Sequence, residues 1–145
     1  MSLGGGRSRA IDDLIANSQN ALFIVAAGNS NTDACTGSPS GSPGALTVAA
    51  SDIRDQKAPF SSYGACVDIV APGVNITAPY IPGGFRALSG TSMASPHIAG
   101  IAAVIHSRTP GQDAATLKQT IISLGLHEKL SGLDVNTPNI LSHIS

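Results

Sequence analysis

The run ALFIVAAG, residues 21–28, decides the fold. A strand with one face in water alternates apolar and polar residues, whereas this run is apolar without a break and too short for an ordinary helix. It therefore reads as a strand covered on both faces, the situation of a parallel sheet held between two layers. It stops at Gly28-Asn29, a pair suited to a turn. Residues 45–50 and 67–70 read as two more buried strands, the second closed by Ala71-Pro72-Gly73, and the Ser-, Asn-, Gly- and Pro-rich stretch 29–44 reads as a loop. Upstream, residues 1–3 can end a strand and Gly4 to Gly6 can turn. Residues 7–20 then place Ala10, Leu14 and Ile15 at helical spacing. Downstream, residues 93–106 are almost continuously apolar and predict a helix buried on most sides. Residues 113–124 predict another, with Leu117, Ile121 and Leu124 on one stripe, and the tail to Ser145 reads as irregular. Strands alternating with helices predict an α/β domain with a mostly parallel sheet.

Length and composition narrow the function. A chain of 145 residues has the size of one domain, and a charged fraction of 12% is about half the usual value, which suits a tightly packed body. A net charge of −1 without clusters of Lys or Arg lacks the footprint that nucleic acid or an anionic membrane surface requires. No apolar run has the length of a membrane span, and MSLGGGRSRA has neither the apolar stretch nor the cleavage site of a signal peptide. Cys35 and Cys66 lie apart, without the spacing of a zinc site, so that a disulfide and two free thiols are both open.

Ser92 reads either as part of a plain capped helix start or as a candidate nucleophile, and residue types alone leave both open. It stands where the apolar helix should begin, with Thr91 and Ser92 as capping residue types and Pro96 read into the first turn. A helix N-terminus offers free N–H groups to the oxyanion formed when a serine attacks an acyl carbon. Asn29, at the C-terminal end of a buried strand, lies on the rim where α/β domains place their ligands. A rival reading of SLGGG as a phosphate cradle fails for want of a G-x-G-x-x-G or GK[ST] pattern.

The motif GTSMASPHIAG, residues 90–100, resembles the nucleophile segment of the subtilisin-like serine proteases (peptidase S8). SLGGG, VAAGN, SPSGSPGALTVAASD and FSSYGACVDIVAPG follow that family in order, closest to its proteinase K-like branch. The resemblance implies a three-layer α/β domain with a mostly parallel sheet and a secreted serine endopeptidase, which cuts peptide or protein substrates through an acyl-enzyme on Ser92. It makes the Ser92 N–H and the Asn29 amide the oxyanion hole. Ser2, Leu3 and Gly4 become the edge on which a substrate strand is laid, and Ala26, Ala27 and Gly28 one wall of the primary specificity pocket. It further implies a Cys35–Cys66 disulfide and a structural calcium ion held by Asp68 and the backbone oxygens of Pro43 and Ala45. Independently of it, Asn75-Ile76-Thr77 is a glycosylation sequon.

The family's base and its orienter come from D-[ST]-G and H-G-[TS]-H segments ahead of SLGGG, and neither motif occurs in the chain. His97 lies five residues beyond Ser92, about 140° around a helix, and His106 returns to the same face only about 21 Å along the axis. His127 and His143 lie in the tail. The expectation is therefore the C-terminal part of a catalytic domain whose N-terminal part is missing. It would be inactive alone and could partner with that missing part; the alternative is a non-catalytic, protease-like module that binds peptides or partners.

Overall fold

The computed structural model describes residues 1–144. In chain order the elements are β1 (Gly5–Gly6), α1 (Arg9–Ala16), β2 (Ile24–Ala26), a 3-10 turn (Ala34–Thr36) and β3 (Gly37–Ser38). Then come β4 (Leu46–Ser51), β5 (Ile69–Pro72), β6 (Ile76–Pro79), β7 (Phe85–Leu88), α2 (Thr91–Arg108), α3 (Ala114–Leu124), β8 (Leu126–His127) and β9 (Ile140–Leu141). The main sheet has five strands in the order β2-β4-β5-β9-β8, and every pairing in it is parallel except β8 with β9.

The unbroken apolar runs are buried on both faces, as expected. Alternate side chains of one strand go to opposite faces. Ile24, Leu46, Val48, Ala50, Ile69 and Ala71 join Ala94, Ile98, Ala102 and Ile105 of α2 and Leu117 and Ile121 of α3 in the largest core. On the other face Val25 and Ala45 meet Ile15 of α1, and Ala49 and Val70 meet Ala27, Ala34, Val67 and Leu130. Helices α2 and α3 thus form one layer, the sheet the second, and α1 with the 3-10 turn the third. Helix α2, which its apolar sequence predicts to be buried on most sides, is not: its buried residues are Thr91, Ala94, Ser95, Ile98, Ala102 and Ile105, while Pro96, His97, Ala99, Gly100, Ala103, Val104 and residues 106–108 are exposed.

Several local readings need correction. Gly5–Gly6, read as part of a turn, and Gly37–Ser38, read within a loop, pair as the short strands β1 and β3. The tail is not irregular throughout: β9 extends the sheet beside β5, and β8 pairs back on β9. Residues 76–88, unassigned from sequence, form an antiparallel hairpin around Pro82-Gly83-Gly84; its strands are largely exposed, so no apolar pattern marked them. In α1 the helix is shorter than residues 7–20, and Ala10 and Leu14 face solvent. Its buried positions are Asp12 and Ile15.

Asp12 is buried because it fastens a loop. Its carboxylate accepts hydrogen bonds from the hydroxyls of Ser42 and Ser38, and Arg7 Nε lies 2.9 Å away. The Ser42 and Ser38 donors, followed by the Arg7 charge, hold its carboxyl below the usual carboxylate range against the opposing effect of burial. Because the folded pKa lies below the unfolded one, this contribution to stability is complete above the ordinary carboxylate pKa. It is lost as pH falls through the folded value. Asp12→Asn should therefore lower the melting temperature at neutral pH and flatten its decline in acid; parallel acid limbs in thermal melts of the two proteins would refute this.

Candidate active site

The C-terminal end of β2 and the N-terminal end of α2 meet at one point. Gly28 continues from β2 with φ +112°, a conformation that a side chain would strain, and a Cβ there would lie 3.0 Å from Ser62 Oγ. Its N–H donates to Thr91 Oγ1 at 3.2 Å; the Thr91 hydroxyl in turn donates to Asn29 Oδ1 at 2.9 Å, and the Thr91 N–H donates to the same oxygen at 2.8 Å. Two donors on one atom identify it as the amide oxygen, so the orientation of the Asn29 carboxamide is set by its neighbours. The amide nitrogen is left to donate elsewhere. Thr91, treated from sequence only as a capping type, is the residue that positions Asn29; the helix N-cap itself is Gly90.

Ser92 is the second residue of α2, half-buried, and its Oγ donates to the Ser2 carbonyl at 3.4 Å. Pro96 is not in the first turn. It stands four residues after Ser92, where its missing N–H leaves the Ser92 carbonyl without its helical partner. Ser2 Oγ fills that role, donating to Ser92 O at 3.0 Å, and lies 3.1 Å from Ser95 Oγ. Pro96 and Ser2 are thus complementary: the first frees a carbonyl and the second ties the N-terminal segment to it.

That segment runs beside β2, with the Ala26 N–H donating to Met1 O at 3.1 Å. Beyond it, β1 pairs antiparallel with β3, Gly5 opposite Ser38. At Gly37 the backbones approach so closely that a Cβ would sit 2.8 Å from Gly5 O. Ser2, Leu3 and Gly4 on one side and Ala26, Ala27 and Gly28 on the other border a cavity of about 560 Å³ that also reaches Asn29 and Ser92. The structure brings all eight residues assigned to catalysis and substrate binding to this one cleft. Sequence reading missed the remaining wall: Thr32, Asp33 and Ala34, with Ser40 from the loop that Asp12 fastens. The small residue types there were the available signal, but nothing local tells a pocket wall from a turn.

No described histidine reaches Ser92. His97 Nδ1 lies 2.8 Å from Met93 O in its own helix turn, and His127 lies in β8 at the far edge of the main sheet from β2. The Ser92 hydroxyl faces a carbonyl, which cannot take its proton.

Away from the cleft, Cys35 and Cys66 form a disulfide with their Cα atoms 5.2 Å apart. Asn75 and Thr77 are exposed at the start of the hairpin, and the Asn75 N–H donates to Ser89 Oγ. Two of the three residues expected to hold calcium, Asp68 and Ala45, have their oxygens engaged by a cation of the chain itself. The ammonium of Lys118 lies 2.9 Å from each carboxylate oxygen of Asp68 and also donates to the Ala45 carbonyl. Among the described residues no cluster of three or more His, Cys, Asp or Glu is placed to hold a metal, and no helix is long and apolar enough to cross a membrane.

Comparison with known proteins agrees with this geometry. The chain is 46% identical to a subtilisin-like serine protease of Rhodotorula mucilaginosa, Rho m 2.0101, over 98% of its own length and 46% of that protein's. It is 44% identical to the subtilisin-like serine protease pepC of Aspergillus niger, over 97% of its own length and 29% of that protein's. The chain therefore spans less than half the length of these relatives. A crystal structure of a cold adapted subtilisin-like serine proteinase superposes with a TM-score of 0.93 at 38% identity, covering 99% of this chain and 54% of the other. With the sequence profile of the Subtilase family matching residues 1–131, the chain belongs to the subtilases, the S8 family of serine peptidases.

Proposed function

We propose that the chain is the nucleophile-bearing part of a secreted subtilisin-like serine endopeptidase. A peptide lies along Ser2-Leu3-Gly4 as an added strand, the side chain before the scissile bond enters the cavity beside Ala26, Ala27 and Gly28, and Ser92 Oγ attacks the carbonyl carbon. The C–O bond of the acyl-enzyme forms, the peptide C–N bond breaks, and water later releases the acyl group. The developing oxyanion takes hydrogen bonds from the Ser92 N–H and the Asn29 amide nitrogen. The observation that carries this reading is the Gly28–Thr91–Asn29 chain of hydrogen bonds, which holds Asn29 by its amide oxygen at the N-terminus of the helix bearing Ser92 and leaves its nitrogen as a free donor in the same cleft.

The proton of Ser92 needs a base, and in this family a histidine oriented by an aspartate takes it. Neither is placed at Ser92 by this chain, and the extra length of the relatives is where both would come from. Residues 1–145 by themselves should be inactive, and a preceding part of the domain carrying the Asp and His would complete the site. The disulfide suits secretion into an oxidising compartment, where exposed Asn75 is open to glycosylation.

A fluorophosphonate probe tests the reading. It should label Ser92 rapidly when the chain is joined to a family N-terminal part carrying the Asp and His segments, and only marginally in the chain alone, with the labelled peptide identified by mass spectrometry. Absence of labelling in the joined protein, with peptide binding retained, would favour the non-catalytic module instead. Rapid labelling of the chain alone would overturn the argument about the base.

A further inference from the structure

We propose that the Lys118 ammonium is the resident cation of the cradle formed by Asp68 and the backbone at residues 43–45, so that the fold takes no calcium there. Asp68 stands just ahead of β5 and Ala45 just ahead of β4, while Lys118 reaches them from α3 across 50 and 73 residues of sequence. The Asp68 carboxylate is further engaged by the Thr47 N–H at 2.8 Å. An ammonium has three donors and no acceptor, and here it meets three oxygens: both of Asp68 and the carbonyl of Ala45. Its single charge balances the single carboxylate.

Calcium asks for something else. It takes six to eight oxygens at about 2.3–2.6 Å, and its affinity grows with the number of carboxylates. Asp68 is the only carboxylate among the residues assigned to the site, and it already faces a cation. A divalent ion beside the ammonium would be repelled, and a divalent ion replacing it would require Lys118 to leave two partners. The helix does not let that happen by rotation, because Leu117 and Ile121 of α3 are buried in the main core on either side of Lys118. The side chains of Lys118 and Asp68 are 19% and 21% exposed, so the pair is partly shielded from solvent. The outcome is a cross-link between α3 and two strand entries that depends on no ion in the medium.

Thermal melts of the full chain in chelator and in millimolar calcium provide the test, with Lys118→Met, Asp68→Asn and the double variant alongside. The wild-type melting temperature should not respond to calcium, or should respond equally in Asp68→Asn, which would place that ion elsewhere. Lys118→Met should melt about 5 °C lower than the wild type in chelator and in calcium alike, and Asp68→Asn in the Lys118→Met background should lower it little further. A calcium-dependent rise in the wild type that Asp68→Asn removes would overturn the proposal, as would a Lys118→Met protein as stable as the wild type. Should Lys118→Met fail to fold, calorimetric titration of calcium into wild type and Asp68→Asn still decides. Equal heats support the ammonium, and binding present only in the wild type refutes it.

Discussion

Joined to its base, Ser92→Ala should lower kcat about 10⁶-fold and Asn29→Ala about 10²–10³-fold, the sizes of the corresponding losses in subtilisin, a member of the same family. The structure explains why the two differ. Ser92 forms the bond, and without it only binding and the oxyanion donors remain. Asn29 contributes one of those donors, whose interaction strengthens as the carbonyl oxygen gains charge, so its loss should appear in kcat with KM little changed. The carboxamide is held through its oxygen by Thr91, and the helix N–H groups remain when it is gone. Steady-state kinetics on a peptide amide check both variants. A rise in KM at unchanged kcat for Asn29→Ala would assign the residue to substrate binding and remove it from the oxyanion hole.

Removal of the disulfide, by reduction or as Cys35→Ala/Cys66→Ala, should cost about 3–4 kcal/mol of stability in the chain-entropy account. The bridge spans 31 residues of sequence and joins the 3-10 turn to the entry of β5. Between its ends lie β3, β4 and the loop bearing Ser62. The unfolded chain without it regains the freedom of that whole segment. The effect has a local side as well, because Ala34 and Thr36, the neighbours of Cys35, line the cavity. Urea unfolding of the oxidised, reduced and double-alanine proteins measures the loss, and a difference below about 1 kcal/mol would show that native contacts already supply the constraint.

The central strands were legible because burial on both faces leaves an unbroken apolar run; the helix α2 was legible from its apolar stretch, but its burial was not, since half of it is exposed. The candidate site came from the resemblance of three short segments, SLGGG, VAAGN and GTSMASPHIAG, whose residues the structure brings to one cleft. What escaped depended on partners remote in sequence. Asp12 carries no sequence signal of its own, and only the folded loop at residues 38–42 gives it two hydroxyl donors. β8 and β9 are two residues each, too short for any period to register, and exist because β5 offers an open edge. Lys118 sits on a helix among alternately buried and exposed positions, where a lysine is ordinarily a surface residue; its acceptors lie in loops far back along the chain. Pro96 was misplaced by a wrong helix register, and the consequence, a freed carbonyl, was visible only once Ser2 was seen to occupy it.

Between His97 and His106 the exposed surface of α2 consists of small apolar residues, Ala99, Gly100, Ala103 and Val104, which are poorly adapted to water. Exposed apolar surface of this kind does little harm to a single molecule, whose core on the opposite face is intact, but it offers neighbouring copies a place to adhere. For the chain handled by itself, solubility should then fall with concentration, and a charged residue such as Val104→Lys on that surface should raise it.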